Sequence, residues 1–121
     1  NYCKKNKIKI EFFTSTTKNN VDSVFFSLNK YLKKSDFNYI GHNKIIKNYK
    51  DKSDIYKHCL KKLKLKTSEC IAIEDTEISL KHAVKVNLKC VAFPGDFHLT
   101  GKYVNSLAKV RNLKPKEIIK L

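Results

Sequence analysis

Two adjacent carboxylates, Glu74 and Asp75, directly follow a short apolar run, Cys70-Ile71-Ala72-Ile73. An unbroken apolar run of this length is typical of a parallel strand that is buried on both faces. The carboxylates would then lie at the carboxyl edge of the sheet, where open α/β sheets bind ligands. Because adjacent carboxylates repel each other, a hard cation such as Mg²⁺ would relieve the repulsion and lend charge to a phosphate. The plainer alternative is a polar strand end leading into a helix that Asp75 or Thr76 caps.

A run of hydroxyl side chains follows another strand candidate near the start of the chain. Residues 7–13 alternate apolar and charged side chains, and Thr14-Ser15-Thr16-Thr17 comes next. A helical pattern begins at Val21, so the hydroxyls lie between a strand and a helix N-terminus. Free backbone N–H groups at such a position can bind phosphate, and the same hydroxyls can equally serve as ordinary caps.

The elements that must position these groups alternate along the chain. Predicted in order are a strand over 7–13, a helix from Val21 to about Lys34, a weaker strand over 37–41, a lysine-rich loop over 44–52, a helix capped by Ser53 or Asp54, a strand over 70–73, a helix opened by Thr76, a strand over 90–93, a helix over Val104–Val110 and a short helix from Pro115. This order indicates an α/β fold, with a parallel sheet and helices on its faces.

Length and composition bound the classes of function. With 121 residues the chain is one domain at most, and no apolar run approaches the roughly 20 residues of a membrane helix, so we expect no membrane partner. The four cysteines lack zinc spacing and indicate reduced thiols of an intracellular protein. The chain has no methionine and begins with Asn1, so we expect a fragment or an incompletely predicted gene.

The formal net charge of +15 raises the question of a nucleic-acid partner. Lysine is spread through every segment and Arg111 is the only arginine, although arginine is the usual reader of phosphates and bases. Drift of an A/T-rich genome explains this even enrichment, so we do not expect nucleic acid. A lysine-rich, non-catalytic module that binds a polyanion is kept as the alternative function, and the oligomeric state is not predicted.

Three polar clusters together resemble the haloacid-dehalogenase (HAD) superfamily of phosphohydrolases, in the branch of beta-phosphoglucomutase and the CbbY-type phosphatases. The clusters are the hydroxyl run before Val21, Lys50 before Asp54-Ile55-Tyr56, and Glu74-Asp75 before a helix. The resemblance covers about residues 7–95 and leaves 96–121 as a C-terminal extension. It implies a Rossmannoid three-layer core with a mostly parallel sheet.

The resemblance also implies roles for the phosphate-binding residues. Ser15, with Thr14 as the alternative register, would hydrogen-bond the transferring phosphoryl group, and Thr16 belongs to the same loop. Lys50 would neutralise charge on that group. The substrate would be a small phosphorylated metabolite, and more specifically a sugar phosphate. The protein would be located in the cytoplasm or in a plastid-like organelle.

By the same resemblance, Glu74 and Asp75 would hold Mg²⁺, directly or through water. Lys47 and Lys52 lie close enough in the sequence to compete with Lys50 for its role. The family pattern Lys-Pro-x-Pro-Asp is replaced here by Lys50-Asp51-Lys52-Ser53-Asp54, without the prolines that stiffen the loop. A family glycine is replaced by Ser79.

The nucleophile motif of the family, Asp-x-Asp-x-Thr, does not occur in these 121 residues. The resemblance therefore implies a single partial core domain over 1–121 that lacks the N-terminal central strand and the cap domain. Because the missing aspartate forms the covalent intermediate, we expect no turnover by this chain alone. The flanking strands should either pair directly or keep exposed edges.

Overall fold

The computed structural model describes all of residues 1–121, with helices and strands in alternation. In chain order the elements are α1 (Tyr2–Lys5), β1 (Glu11–Phe13), α2 (Lys18–Ser27), β2 (Tyr39–Gly41), α3 (Lys52–Leu63), β3 (Ile71–Glu74), α4 (Glu77–Lys85), β4 (Lys89–Ala92), β5 (Ala108–Lys109) and α5 (Pro115–Ile118). The chain divides into two compact units, the N-terminal unit (Asn1–Ile55) and the C-terminal unit (Tyr56–Leu121). None of the helices has the length and apolar character needed to cross a bilayer.

The N-terminal unit is built on a two-stranded parallel sheet and an aromatic cluster. β1 and β2 pair in the register that sets Phe12 opposite Ile40. Phe12 packs edge to face on Phe25 of α2 with ring centroids 5.9 Å apart, and Phe25 packs in the same way on Phe37 at 5.6 Å. Val21 and Phe25 are the buried residues of α2. Aromatic contacts therefore join the helix to the sheet.

Helix α2 is shorter than the sequence pattern predicts. The apolar stripe continues to about Lys34, but the helix ends at Ser27. Leu28 is 41% exposed and Tyr31 is 86% exposed, so the later residues of the stripe have little apolar surface to pack against. Because packing of an apolar face supplies most of a helix's stability in a protein, the periodic pattern alone does not extend it.

The C-terminal unit is a three-stranded parallel sheet covered by α4. β3 pairs with β4, and β4 pairs with β5. Helix α4 packs against β3 and β4. The buried apolar side chains of this unit are Tyr56, Cys59, Ala72, Leu80, Ala83, Val86, Leu88, Cys90, Val91, Ala92, Tyr103 and Ile118. The apolar run of β4 is thus buried, as expected for a strand within a parallel sheet.

The segment predicted as a helix over Val104–Val110 is a turn followed by β5, so that prediction was wrong. Asn105 has a left-handed backbone with a φ of 65°, which is incompatible with a continuing α-helix. The N–H of Leu107 donates to the carbonyl of Cys90 at 2.8 Å. Hydrogen bonding to β4 outweighs the weak local helical pattern.

The strands belong to two sheets, where the sequence pattern predicts one. β1 is hydrogen-bonded to β2 alone and β3 to β4 alone, so each of them keeps one unpaired edge. Ile73, within β3, is 44% exposed. The α/β class with parallel pairing is confirmed.

Candidate functional site

The acidic pair lies at the carboxyl end of β3. Glu74 is the last residue of the strand and is 5% exposed, whereas Asp75 follows in a bend and is exposed. Ala72 and Glu74 are the buried residues of this strand. Since side chains alternate between the faces of a strand, Glu74 points to the same buried face as Ala72. One carboxylate of the pair is therefore inside the protein and the other is at its surface.

The buried carboxylate is held by a tyrosine that lies in the same unit. The hydroxyl of Tyr56, in α3, donates a hydrogen bond to Oε1 of Glu74. Tyr56 is 5% exposed, and burial raises the pKa of its hydroxyl, which the neighbouring Glu74 carboxylate raises further. Tyr56 therefore keeps its proton at physiological pH and remains a donor to Glu74.

A second tyrosine holds the backbone of the exposed carboxylate. The hydroxyl of Tyr103 lies 2.9 Å from the carbonyl oxygens of both Asp75 and His98 and can donate to either. Tyr103 is buried and has a left-handed φ of 47°, which is uncommon for a bulky residue. Loss of solvation raises the pKa of this hydroxyl too, as do the carboxylates of Glu77 and Asp75. The loop after β4 is thus fastened to the turn after β3.

The loop that carries Tyr103 is closely packed. Lys109 donates to the carbonyl oxygens of Leu99 and Gly101, and its ammonium lies 5.3 Å from the centroid of the Tyr103 ring. A Cβ atom at Gly101 would lie 2.7 Å from both Oε1 of Glu77 and Cε2 of Tyr103. Only glycine fits there without displacing a neighbour.

Helix α4 begins directly after the pair, and neither carboxylate of the pair is its cap. The hydroxyl of Thr76 accepts a hydrogen bond from the N–H of Ser79 at 3.2 Å. The capping alternative is therefore correct for Thr76 and wrong for Asp75. Because Thr76 caps the helix, the Asp75 side chain is available for other chemistry.

The hydroxyl run lies in the N-terminal unit, between β1 and α2. The Thr14 hydroxyl accepts from the N–H of Thr16 at 3.2 Å, and the Thr16 hydroxyl accepts from the side chain of Asn20 at 2.7 Å. Thr17 caps α2 by accepting from the N–H of Asn20. Ser15 is exposed. Local hydrogen bonds thus involve three of the four hydroxyls, and Ser15 stands at the surface of the loop.

Helix α3, which follows the lysine-rich loop, is capped by a different residue from those predicted. Helix α3 begins at Lys52, and its first turn is capped by Asp51, which accepts from the N–H of Ser53 at 2.8 Å and from the Ser53 hydroxyl. Asp54 accepts from the backbone N–H of Lys50 at 2.9 Å. The predicted caps Ser53 and Asp54 were therefore wrong, because Asp51 has the right position and a carboxylate acceptor.

The three lysines considered for the phosphate-neutralising role differ in burial. Lys47 and Lys50 are exposed, whereas Lys52 is 9% exposed. An exposed ammonium stays solvated and can reach a ligand on its flexible stem. The environment of Lys50 agrees better with a ligand-binding lysine than that of Lys52.

The acidic pair fits a magnesium ion in ligand type but not in number. No group of three or more His, Cys, Asp and Glu side chains is arranged to hold a metal ion. Mg²⁺ prefers oxygen ligands and is commonly bound through one or two carboxylates, with waters and substrate phosphates completing its coordination. Glu74 and Asp75 can supply such a pair of carboxylates, and any remaining ligands come from elsewhere.

Sequence reasoning missed the residues that hold the pair in place. Tyr56 stands in the Asp54-Ile55-Tyr56 segment, but nothing in the sequence indicates its bond to Glu74. Tyr103 is 28 residues from Asp75 in the sequence, and it directly precedes the segment that was predicted to be helical. Their only sequence signal is the aromatic ring with a polar tip, which needs a partner when buried.

These elements define an α/β protein of the Rossmann-like class, with carboxylates at the carboxyl end of a parallel strand. A sequence model of the haloacid dehalogenase-like hydrolases matches residues 1–93. The chain belongs to this family. No significant match is found among curated protein sequences.

Solved structures of the same fold come from two kinds of enzyme. CbbY from Rhodobacter sphaeroides in complex with phosphate aligns with a TM-score of 0.78 and 21% identity, over 89% of this chain and 48% of that one. A CbbY variant in complex with xylulose-(1,5)bisphosphate aligns equally well. Beta-phosphoglucomutase from Clostridium difficile aligns with a TM-score of 0.74 and 24% identity, over 98% of this chain and 51% of that one. The chain spans about half the length of these structures.

Proposed function

We propose that this chain carries part of the active site of a Mg²⁺-dependent phosphatase or phosphomutase that acts on a small phosphorylated metabolite. The observation that carries the proposal is the acidic pair at the carboxyl end of β3, in a chain of the haloacid dehalogenase-like family. Phosphoryl transfer depends mainly on positioning and on neutralising charge, which these residue types can do.

Ser15 and Lys50 are the proposed phosphate-binding residues of the N-terminal unit. The exposure of Ser15, beside Thr14 and Thr16 hydroxyls that already accept local hydrogen bonds, supports Ser15 as the donor to the phosphoryl group. Thr14 and Thr16 shape the loop and form the rest of the phosphate-binding run. The exposed ammonium of Lys50 neutralises charge on the phosphoryl oxygens.

Glu74 and Asp75 are the proposed metal-binding residues of the C-terminal unit. A bound magnesium ion would supply positive charge to the phosphoryl oxygens. The exposed Asp75 carboxylate faces solvent, and the buried Glu74 carboxylate adds negative charge from inside the sheet. Both carboxylates supply oxygen atoms, which are the ligand type that Mg²⁺ selects.

A sugar phosphate is the proposed substrate class. Support comes from the CbbY structure that holds xylulose-(1,5)bisphosphate, which has the same fold as this chain.

The 121-residue chain is proposed to be inactive by itself. It contains no Asp-x-Asp sequence, so the nucleophile and the general acid/base of the family are not among its residues. The residues that remain bind and neutralise but cannot form a covalent phosphoryl intermediate.

Two measurements on the purified chain test the proposal. Titration with Mn²⁺, as a paramagnetic substitute for Mg²⁺, should show binding that Asp75→Asn and Glu74→Gln weaken and that the control Asp96→Asn leaves unchanged, since Asp96 is an exposed acid outside the pair. Hydrolysis of an aryl phosphate with Mg²⁺ should be at background. Absence of Mn²⁺ binding would contradict the metal role, and turnover lost in Asp75→Asn would contradict the inactivity while supporting Asp75.

Salt dependence separates the alternative, a lysine-rich polyanion-binding module. Such binding should weaken steeply with salt, on a log–log slope set by the number of phosphates contacted. It should also survive or improve when Glu74 and Asp75 are neutralised, because two negative charges are removed. Binding to a DNA duplex with both properties would favour this alternative over the enzyme.

A further inference from the structure

Two buried tyrosines of the C-terminal unit have hydroxyl groups that hydrogen-bond to the acidic pair. Tyr56 bonds the side chain of Glu74, and Tyr103 bonds the backbone of Asp75 and of His98. The two hydroxyls come from different elements, α3 and the loop between β4 and β5. Adjacent residues of one strand end are therefore tied to two separate parts of the unit.

The Tyr56 bond decides where the buried carboxylate can point. Glu74 has the longer side chain of the pair and several rotamers, but its Oε1 is fixed by a donor on a helix that is itself buried at Ile55 and Cys59. A donor to one carboxylate oxygen orients the whole group, as hydrogen-bond partners do for side chains that bind metals. Glu74 is consequently held in one orientation before any cation arrives.

The Tyr103 bond decides where the exposed carboxylate stands. Asp75 lies in a bend without regular hydrogen bonding, so its backbone needs another support. Tyr103 provides one, and its own position is fixed by burial, by the ammonium of Lys109 and by close contact at Gly101. A buried tyrosine with a left-handed backbone is strained, and such residues persist only where their surroundings hold them.

We propose that Tyr56 and Tyr103 are positioning residues that pre-form the acidic pair for a divalent cation, Tyr56 through the side chain of Glu74 and Tyr103 through the backbone of Asp75. This inference rests on the proposed function, since it requires that the pair binds a cation. Pre-formed ligands bind more tightly because no ordering of the side chains accompanies binding.

The test removes one hydroxyl at a time and measures Mn²⁺ affinity of the 121-residue chain by electron paramagnetic resonance. Tyr56→Phe should weaken binding about 10-fold, which is the lower end of the loss expected when a metal ligand loses its hydrogen-bond partner. Tyr103→Phe should weaken it about threefold, which corresponds to one neutral hydrogen bond. Tyr31→Phe is the matched control, because Tyr31 is 86% exposed and lies in the N-terminal unit, and its affinity should equal that of the unmodified chain.

Hydrogen exchange provides a readout that does not need the metal. Tyr103→Phe should speed exchange in the 96–107 loop and leave α3 unchanged, whereas Tyr56→Phe should leave the loop unchanged. If Tyr103→Phe does not fold, Lys109→Met removes the ammonium from the Tyr103 ring and from the Gly101 carbonyl and tests the same support.

Three outcomes distinguish the possibilities. Weaker binding in both tyrosine variants, with the thermal unfolding curves still cooperative, supports the inference. Unchanged affinity in both, while Asp75→Asn abolishes binding, overturns the inference and leaves the proposed function standing. No Mn²⁺ binding by the unmodified chain refutes the metal role in the proposed function and the inference with it.

Discussion

The candidate site residues of the two units differ in their exposure to solvent. In the N-terminal unit, Ser15 and Lys50 are exposed on loops, and the rings of Phe12 and Phe37 that support the sheet are only half-buried. In the C-terminal unit, Glu74 is 5% exposed and is bonded by a buried tyrosine. One unit offers cationic and hydroxyl groups to solvent, and the other holds a carboxylate inside its core.

The difference follows from the properties of the groups. A lysine keeps its ammonium in water on a flexible stem, so it can contact an anion without a rigid setting. A carboxylate that is taken out of water loses solvation and must receive donors from the fold. Leu80, Ala83 and Val91 are each 0% exposed in the unit that holds the buried acid.

The largest expected effect is in the core of the C-terminal unit. Leu80→Ala should lower the free energy of unfolding by about 3 kcal/mol, since a fully buried leucine leaves a cavity as well as losing its transfer free energy. Phe37→Ala in the N-terminal unit should lower it by about 2 kcal/mol, because the ring is only half-buried but packs on two others. Urea unfolding measures both, and an equal or larger loss at Phe37 would break the contrast between the units.

A smaller effect is expected at the loop that supports Asp75. Gly101→Ala would place a Cβ atom 2.7 Å from Tyr103 and Glu77. The end of Glu77 can turn away but the buried ring cannot, so we expect a loss of about 1–3 kcal/mol.

Gly95→Ala is the control for that substitution. No heavy atom lies within 4 Å of the Cβ position at Gly95, and its φ of −71° suits any residue. A gain of about 0.5 kcal/mol is expected there from reduced freedom of the unfolded chain. Similar melting temperatures for the two variants would show that the loop is looser than its contacts indicate.

The smallest effect concerns Glu11, a partly buried acid of the N-terminal unit. Burial raises the pKa of Glu11 above its ordinary value of 4.5, although Lys9 lowers it in part, and Oε1 has no hydrogen-bond partner. A raised pKa means that the folded state binds the proton more tightly, so Glu11 favours folding at low pH and loses that contribution as pH rises through 4.5 and the folded pKa.

Glu11→Gln should therefore stabilise the protein at pH 7 and lose that advantage below pH 4.5. Thermal unfolding of the two proteins across this range measures the difference. Lys9→Gln is the companion variant, and it should destabilise the chain slightly at pH 7 because Lys9 is the cation that lowers the Glu11 pKa. A difference in stability between the unmodified protein and Glu11→Gln that does not change with pH would contradict the raised pKa of Glu11.

Much of the local structure could be predicted from sequence because neighbouring residues determine it. The apolar runs before Glu74 and before Pro94 are strands, Thr76 caps α4, and Pro115 opens α5. Strand runs, caps and helix-opening prolines depend on side chains within a few positions. The three polar clusters and their order were legible for the same reason, and the family follows from them.

What depends on distant residues could not be predicted. Helix α2 stops at Ser27, and β5 replaces a predicted helix. Both outcomes turn on whether an apolar stripe or a backbone segment finds a partner elsewhere in its unit. Local periodicity has no information about that partner.

The sequence by itself determined which residues could do chemistry and that Glu74 and Asp75 stand at a strand end. Only the tertiary structure decided that one of these carboxylates is buried and the other exposed, and that Tyr56 and Tyr103 support them. The physical reason is that a strand sets the direction of a side chain through its period of two, whereas burial and hydrogen-bond partners come from helices and loops that pack on it from far along the chain.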